Sequence, residues 1–144
     1  MTPFLKWPGG KRWFVHGFAN LLPIRFHRYI EPFLGGGSVY FHLCPEKAVL
    51  SDTNQELITT YRAVKEDWRK VVAMLQRHNK SHSEEHYYQT RESRPTSPAG
   101  KAARMIYLNR TCFNGIYRVS RKGDFNVPKG TRASVLRVHP GLLG

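Results

Sequence analysis

The sequence predicts an α/β chain that supplies the first half of a doubly wound nucleotide-binding sheet and leaves that sheet incomplete. Three observations carry this reading. Two short apolar runs, Arg28–Phe33 and Ala48–Leu50, have strand character. A Gly35-Gly36-Gly37 turn follows the first run and opens a helix-forming stretch. An acid, Asp52, sits at the end of the second run, 17 residues beyond Gly35, where such units place a carboxylate.

The elements follow in order. Residues 1–11 read as a loop, punctuated by Pro3, Pro8, Gly9 and Gly10. Residues 12–22 carry apolar side chains at helical spacing and stop at Pro23. The first strand then runs into the glycine turn. Ser38–Leu43 reads as a helix with Pro45 just beyond it, and Ala48–Leu50 as the second strand. Asn54 is placed to cap a helix from Gln55 to Lys65, with Glu56 in its first turn, and Trp68–His78 continues as helix. Residues 79–100 are polar, and Ser93–Gly100 reads as a loop bounding an inserted subdomain. Ala102–Asn109 reads as helical. Ile116–Arg121 and Asp124–Val127, joined by Lys122-Gly123, read as a hairpin. The tail, Val135–Gly144, is weakly patterned.

At 144 residues and 40% apolar, the chain is sized for one globular domain with a small insertion. Its charge is unusual: 23 Lys and Arg oppose 10 Asp and Glu, a net of +13. From Arg91 onward eleven cations face only Glu92 and Asp124. A half this basic suits a polyanion such as nucleic acid, against the plainer alternative of a solvated basic surface. Two cysteines far apart, Cys44 and Cys112, make neither a disulfide framework nor a zinc site and fit a reducing, cytoplasmic setting. The N-terminus lacks a signal-peptide core, and no run approaches the ~20 apolar residues of a membrane span, so no membrane partner is expected.

Some residues could carry chemistry. Glycines after a strand permit tight turning and close approach of backbone to a ligand, and the helix behind them offers free N–H groups. Asp52 could accept hydrogen bonds from ribose hydroxyls. The run is not a GxGxxG, however, and by itself it also fits a purely structural turn. From the residues alone, Trp7 reads as a core aromatic, Lys11 as a surface charge, and 114–127 as a basic hairpin with Asn and Gly in its turns. His82-Ser83-Glu84-Glu85-His86 fits the H-x-x-E-H pattern of inverted zincins, which would put two histidines on one helix face. The segment is polar and offers no third ligand, so surface histidines are favoured and no metal is expected.

Five segments, in order, resemble one family. They are Lys6-Trp7-Pro8-Gly9-Gly10-Lys11, Glu31-Pro32-Phe33-Leu34-Gly35-Gly36-Gly37-Ser38, Ser51-Asp52-Thr53-Asn54, Tyr107 to Arg118 (YLNRTCFNGIYR), and Gly123 to Pro128 (GDFNVP). Over residues 4–130 the chain resembles the Dam-like (D12 class) DNA N6-adenine methyltransferases. The resemblance implies a Rossmann-like S-adenosylmethionine-dependent methyltransferase fold with an inserted helical and hairpin DNA-recognition region. Residues 1–65 would be the first half of the cofactor domain, 66–132 the recognition region and 133–144 a truncated tail. Trp7, Lys11, Glu31, Phe33, Gly35, Gly37 and Asp52 would border S-adenosylmethionine, with Lys11 on its carboxylate and Asp52 on its ribose.

Double-stranded DNA would be the partner, in a prokaryotic or phage-infected cell. Arg118 would read a base, since Arg can bond guanine O6 and N7 together. Asn114 and Asn126 would touch base edges or phosphate, and Arg110, Arg121, Lys122 and Lys129 would grip phosphates. The reaction implied is methyl transfer to adenine N6 of a base flipped out of the duplex. The Asp-Pro-Pro-Tyr type segment that holds this base is absent: no two of the nine prolines are adjacent. The expectation is therefore an enzyme cut short before its catalytic residues and inactive alone, with an open sheet edge that favours self-association or a separate C-terminal half. A non-catalytic DNA-binding remnant is the alternative. A related enzyme acting on RNA or protein fits the recognition segments less well.

Overall fold

A parallel strand pair needs a crossover, and here a single short helix supplies it. In the computed structural model, which describes residues 2–132, β1 (Tyr29–Glu31) pairs in parallel with β2 (Ala48–Leu50). The register sets Ile30 opposite Val49. Between them Gly37, in the left-handed conformation at φ 68°, caps α2 (Ser38–Leu43). A side chain at Gly37 would be strained there and would press on the Phe41 ring, 3.0 Å away. The strand, turn, helix and strand lie where the sequence puts them, with β1 trimmed to three residues. The sheet is small and mixed with helices, and among the described residues neither strand has another partner.

Ahead of β1, α1 (Arg12–Phe18) runs into a 3-10 turn at Ala19–Leu21. After β2, the Asn54 side chain accepts a hydrogen bond from the Leu57 amide and starts α3 (Gln55–Lys80). Helix α3 is kinked at Asp67 (φ −151°, ψ 72°), whose carboxylate accepts from Lys70 N at 3.0 Å and so restarts the helix. The two expected helical stretches are the two arms of this kinked helix. The 65/66 boundary expected from sequence falls one residue before the kink, inside α3.

The core lies between α3 and α5 (Pro98–Thr111). Leu57, Ala63, Val71 and Leu75 of α3 are buried with Ala102, Ala103, Met105, Tyr107 and Leu108 of α5. Helix α5 begins at a Ser97 cap with Pro98 in its first turn, so the expected loop ends three residues earlier than predicted. The polar stretch also contains a helix unseen in the sequence, α4 (Glu84–Glu92), capped by Ser83. Its apolar face is little more than Tyr87, which is fully buried and donates its hydroxyl to Val127 O at 2.8 Å. That tertiary contact, not a hydrophobic period, holds α4 in place.

The expected hairpin is an irregular loop pinned at two points. Antiparallel bridges join Cys112 to Lys129 at the stem and Val119 to Phe125 near the tip. Asn126 N donates to Arg118 O and Gly123 N to Ser120 O, closing the turn. A continuous ladder is prevented because Asn114 (φ 54°) and Gly115 (φ 65°) are both left-handed just after the stem. The tail expectation for 133–144 lies outside the described residues. Among the described residues no helix is long and apolar enough to cross a membrane.

Candidate functional site

The site is built where the N-terminal loop crosses the glycine turn. Asp52, one residue beyond Ser51 at the end of β2, accepts from Gly35 N through Oδ2 at 2.9 Å and from Asn54 N through Oδ1 at 2.9 Å. One carboxylate thus fixes both the glycine turn and the start of α3. An ionised carboxyl has about four lone-pair positions, so Asp52 keeps acceptor capacity beyond these two bonds.

Lys11 Nζ donates to Glu31 Oε1 at 2.8 Å and to Phe33 O at 2.8 Å. Glu31 is buried, and its second oxygen accepts from the Tyr29 hydroxyl. Burial, reinforced by Glu31, pushes the Tyr29 phenol well above its ordinary range. Phe33 is 72% exposed beside this pair. Trp7 lies against the glycines: a Cβ on Gly35 would sit 3.0 Å from the indole Cδ1. A cleft of about 200 Å³ opens between Trp7, Lys6, Arg12, Gly36 and Ser38. The structure therefore brings Trp7, Lys11, Glu31, Phe33, Gly35, Gly37 and Asp52 into one neighbourhood.

The basic loop is attached directly to that neighbourhood. The Tyr117 ring stacks on Trp7, with centroids 4.7 Å apart and planes at 27°. Its hydroxyl donates to Glu56 Oε2 at 2.7 Å, and Glu56 also pairs with Arg104 at 3.3 Å. Burial, opposed by Asn54 and reinforced by Glu56, pushes the Tyr117 phenol up to about 12. A second tie is Asn109, fully buried: Lys6 N donates to its Oδ1 at 2.9 Å, and its Nδ2 donates to Lys6 O at 2.8 Å.

Of the expected recognition residues, Arg118 and Asn126 stand together. Arg118 Nε donates to Asn126 Oδ1 at 2.8 Å, which holds an exposed guanidinium in a set direction. Asn114 is exposed at its left-handed position, and Arg121 and Lys122 project at the tip. Lys129 is at the stem, its ammonium on Gly130 O. Arg110 is set apart from the tip. It shares a neighbourhood with Lys6, Arg12 and Arg132, and burial, then the charges of Arg132 and Arg12, lowers its proton affinity. Lys6 is lowered by burial and then by Arg132, Arg110 and Arg12, with Cys112 opposing.

The histidines do not form the shared face of an inverted zincin. His82 precedes α4, and its two nitrogens face the Tyr107 hydroxyl (2.8 Å) and Arg132 O (3.0 Å). His86 meets His78 instead, at 2.9 Å. Glu56, Arg104 and Tyr117 were not singled out from sequence. Glu56 looked like a first-turn charge, and a tyrosine–carboxylate contact spanning 61 residues leaves no local signature.

Two parallel strands, a glycine turn opening a helix and an acid after the second strand thus lie together in one short unit. A cationic loop is stacked on that unit through Tyr117 and Trp7. The chain belongs to the D12 class of N6 adenine-specific DNA methyltransferases, whose family model matches residues 7–140. It is 40% identical over 136 residues to the type II methyltransferase M1.LlaDCHI of Lactococcus lactis subsp. cremoris, covering 90% of this chain and 48% of that protein. It is 36% identical over 151 residues to the type II methyltransferase M.MjaIII of Methanocaldococcus jannaschii, at 90% and 52% coverage. It is 37% identical over 131 residues to a DNA adenine methylase of Serratia marcescens, at 88% and 48%. The chain thus spans about half the length of these curated relatives.

Proposed function

We propose that these residues form the cofactor cradle and the DNA-reading loop of an enzyme that methylates N6 of adenine in duplex DNA. The observation that carries this is the physical union of the two parts, with Trp7 of the cradle stacked on Tyr117, the neighbour of Arg118. The donor set fits S-adenosylmethionine. Asp52 has acceptor capacity for a ribose diol, and the Lys11 ammonium, with two of its three N–H groups used, has one left for a carboxylate. Trp7, Glu31, Phe33, Gly35 and Gly37 complete the holding residues. When bound, the cofactor supplies an activated sulfonium methyl group.

The chain's own part is positioning. Asp52 and the glycine turn fix the ribose end, and Lys11 with Glu31 fixes the charged end. Arg118, held by Asn126, reads a base edge, while Asn114, Arg110, Arg121, Lys122 and Lys129 hold backbone and register. Domain-wise, residues 1–65 serve the cofactor, and 66–132 serve recognition. The 144 residues contain no Asp-Pro-Pro-Tyr segment to hold a flipped adenine, so on this reading residues 1–144 bind both ligands without transferring the methyl group.

The test is equilibrium dialysis with S-adenosylmethionine and a fluorescence titration of adenine-containing duplex, followed by a methyl-transfer assay. Binding of both ligands, with cofactor affinity falling at least tenfold in Asp52→Ala, is the expected result. Duplex binding without cofactor binding would establish a non-catalytic DNA-binding protein instead. Label in adenine would overturn the inactivity of residues 1–144.

A further inference from the structure

Tyr117 belongs to the basic loop and touches the glycine-turn neighbourhood at the same time. Its ring covers Trp7 at 4.7 Å, and Trp7 in turn lies against Gly35. Its hydroxyl is anchored on Glu56, and Glu56 is held by Arg104 from the core helix α5. Its backbone continues into Arg118, which is locked to Asn126 across the loop. Its ring also lies 5.9 Å from that of Phe125, on the returning arm. A shift of Trp7 therefore displaces Tyr117, and a shift of Tyr117 displaces both arms of the recognition loop.

We propose that Tyr117 is a positioning residue that couples cofactor binding to duplex binding, through its stack on Trp7 and its hydrogen bond to Glu56. The inference rests on the cofactor and DNA reading above. A ligand seated on the glycine turn restricts Trp7, and the stack passes that restriction to Arg118. The loop is then ordered before the duplex arrives, so the second ligand bears less of the ordering cost. Coupling of this kind is reciprocal: each ligand raises the affinity of the other by one common factor.

That factor is the readout. The affinity of the 144-residue chain for an adenine-containing duplex is measured with and without saturating S-adenosylmethionine, and the cofactor affinity with and without duplex. The wild-type ratio expected is on the order of tenfold in both directions. Tyr117→Ala brings it to within twofold of unity. Tyr117→Phe retains the ring and its packing, loses only the Glu56 anchor, and lowers the ratio at least threefold. It carries the test where the alanine variant does not fold.

A residue of merely structural importance would weaken both affinities and leave their ratio unchanged, and that result overturns the proposal. Independent binding of the two ligands by the wild type overturns it as well, while leaving the cofactor and DNA reading intact. Failure of the wild type to bind either ligand removes that reading and this inference together.

Discussion

Asn109 is the side chain whose removal should cost most for its size. It is fully buried, and it binds both the N–H and the carbonyl of Lys6, at 2.9 and 2.8 Å. It also reaches Gly115 O at 3.4 Å. This one amide fastens the N-terminal loop, with Trp7 next along it, to α5 and to the foot of the basic loop. Asn109→Ala deletes two good hydrogen bonds, each worth about 1 kcal/mol net, and strands two backbone groups that each cost about 1–3 kcal/mol if left dry. Water admitted to the vacated space offsets part of this, leaving about 3 kcal/mol. Against a typical domain stability of roughly 5–15 kcal/mol, that is a large share. Urea unfolding followed by far-UV circular dichroism measures it: with a slope of about 2 kcal/mol per molar, the midpoint should fall by roughly 1.5 M. A loss below about 1 kcal/mol, or one matched by an exposed control such as Asn20→Ala, would refute the claim that this amide holds the loop.

Two other perturbations have defined outcomes. His78 stacks on Tyr107 (4.7 Å, 24°) and faces His86, while His82 meets the Tyr107 hydroxyl. Burial, then the His86 charge, lowers its pKa from the ordinary imidazole value of 6.5 to about 4. The unfolded chain therefore takes up the proton first, and stability should be level above pH 7 and decline as pH falls from 6.5 towards 4. A tenfold change in proton affinity is worth about 1.4 kcal/mol, and partial solvent access reduces the full effect to about 1–2 kcal/mol; a slope unchanged in His78→Gln would exclude this origin. At Gly130 an added Cβ would lie 2.6 Å from Cys112 O, a backbone atom, at the stem of the basic loop. Gly130→Ala should cost about 1–3 kcal/mol, and a melting temperature unaltered in calorimetry would contradict it.

The sequence makes the strand, glycine turn, helix and strand legible because local chemistry decides them: Gly37 must be left-handed, and Asn54 caps α3 with its own side chain. The closeness of Asp52 to the glycine turn is legible for the same reason, since Asp52 and Gly35 lie on adjoining turns of one short unit. Helix α4 was not, because its burial depends on Tyr87 meeting Val127, 40 residues away. Nor was the Tyr117–Glu56–Arg104 chain, whose members come from a loop and two helices brought together only by folding. The basic loop is legible in its turn but not in its shape, since Asn114 and Gly115 divert a backbone that the alternating residues alone would extend.

The tip of that loop has a consequence for how such a protein can change. Between Ser120 and Asp124 the chain is held mainly by its own turn bonds and an exposed pair from Asp124 to Arg94. The core helix α5 and the Asp52–Gly35 clasp lie elsewhere and do not depend on it. Residues there can be exchanged, or the turn lengthened, at little expense to folding. The most exposed stretch of the basic loop is thus the one most free to vary, so its charges can be redistributed by drift at the tip while the Asp52–Gly35 clasp and α5 stay as they are.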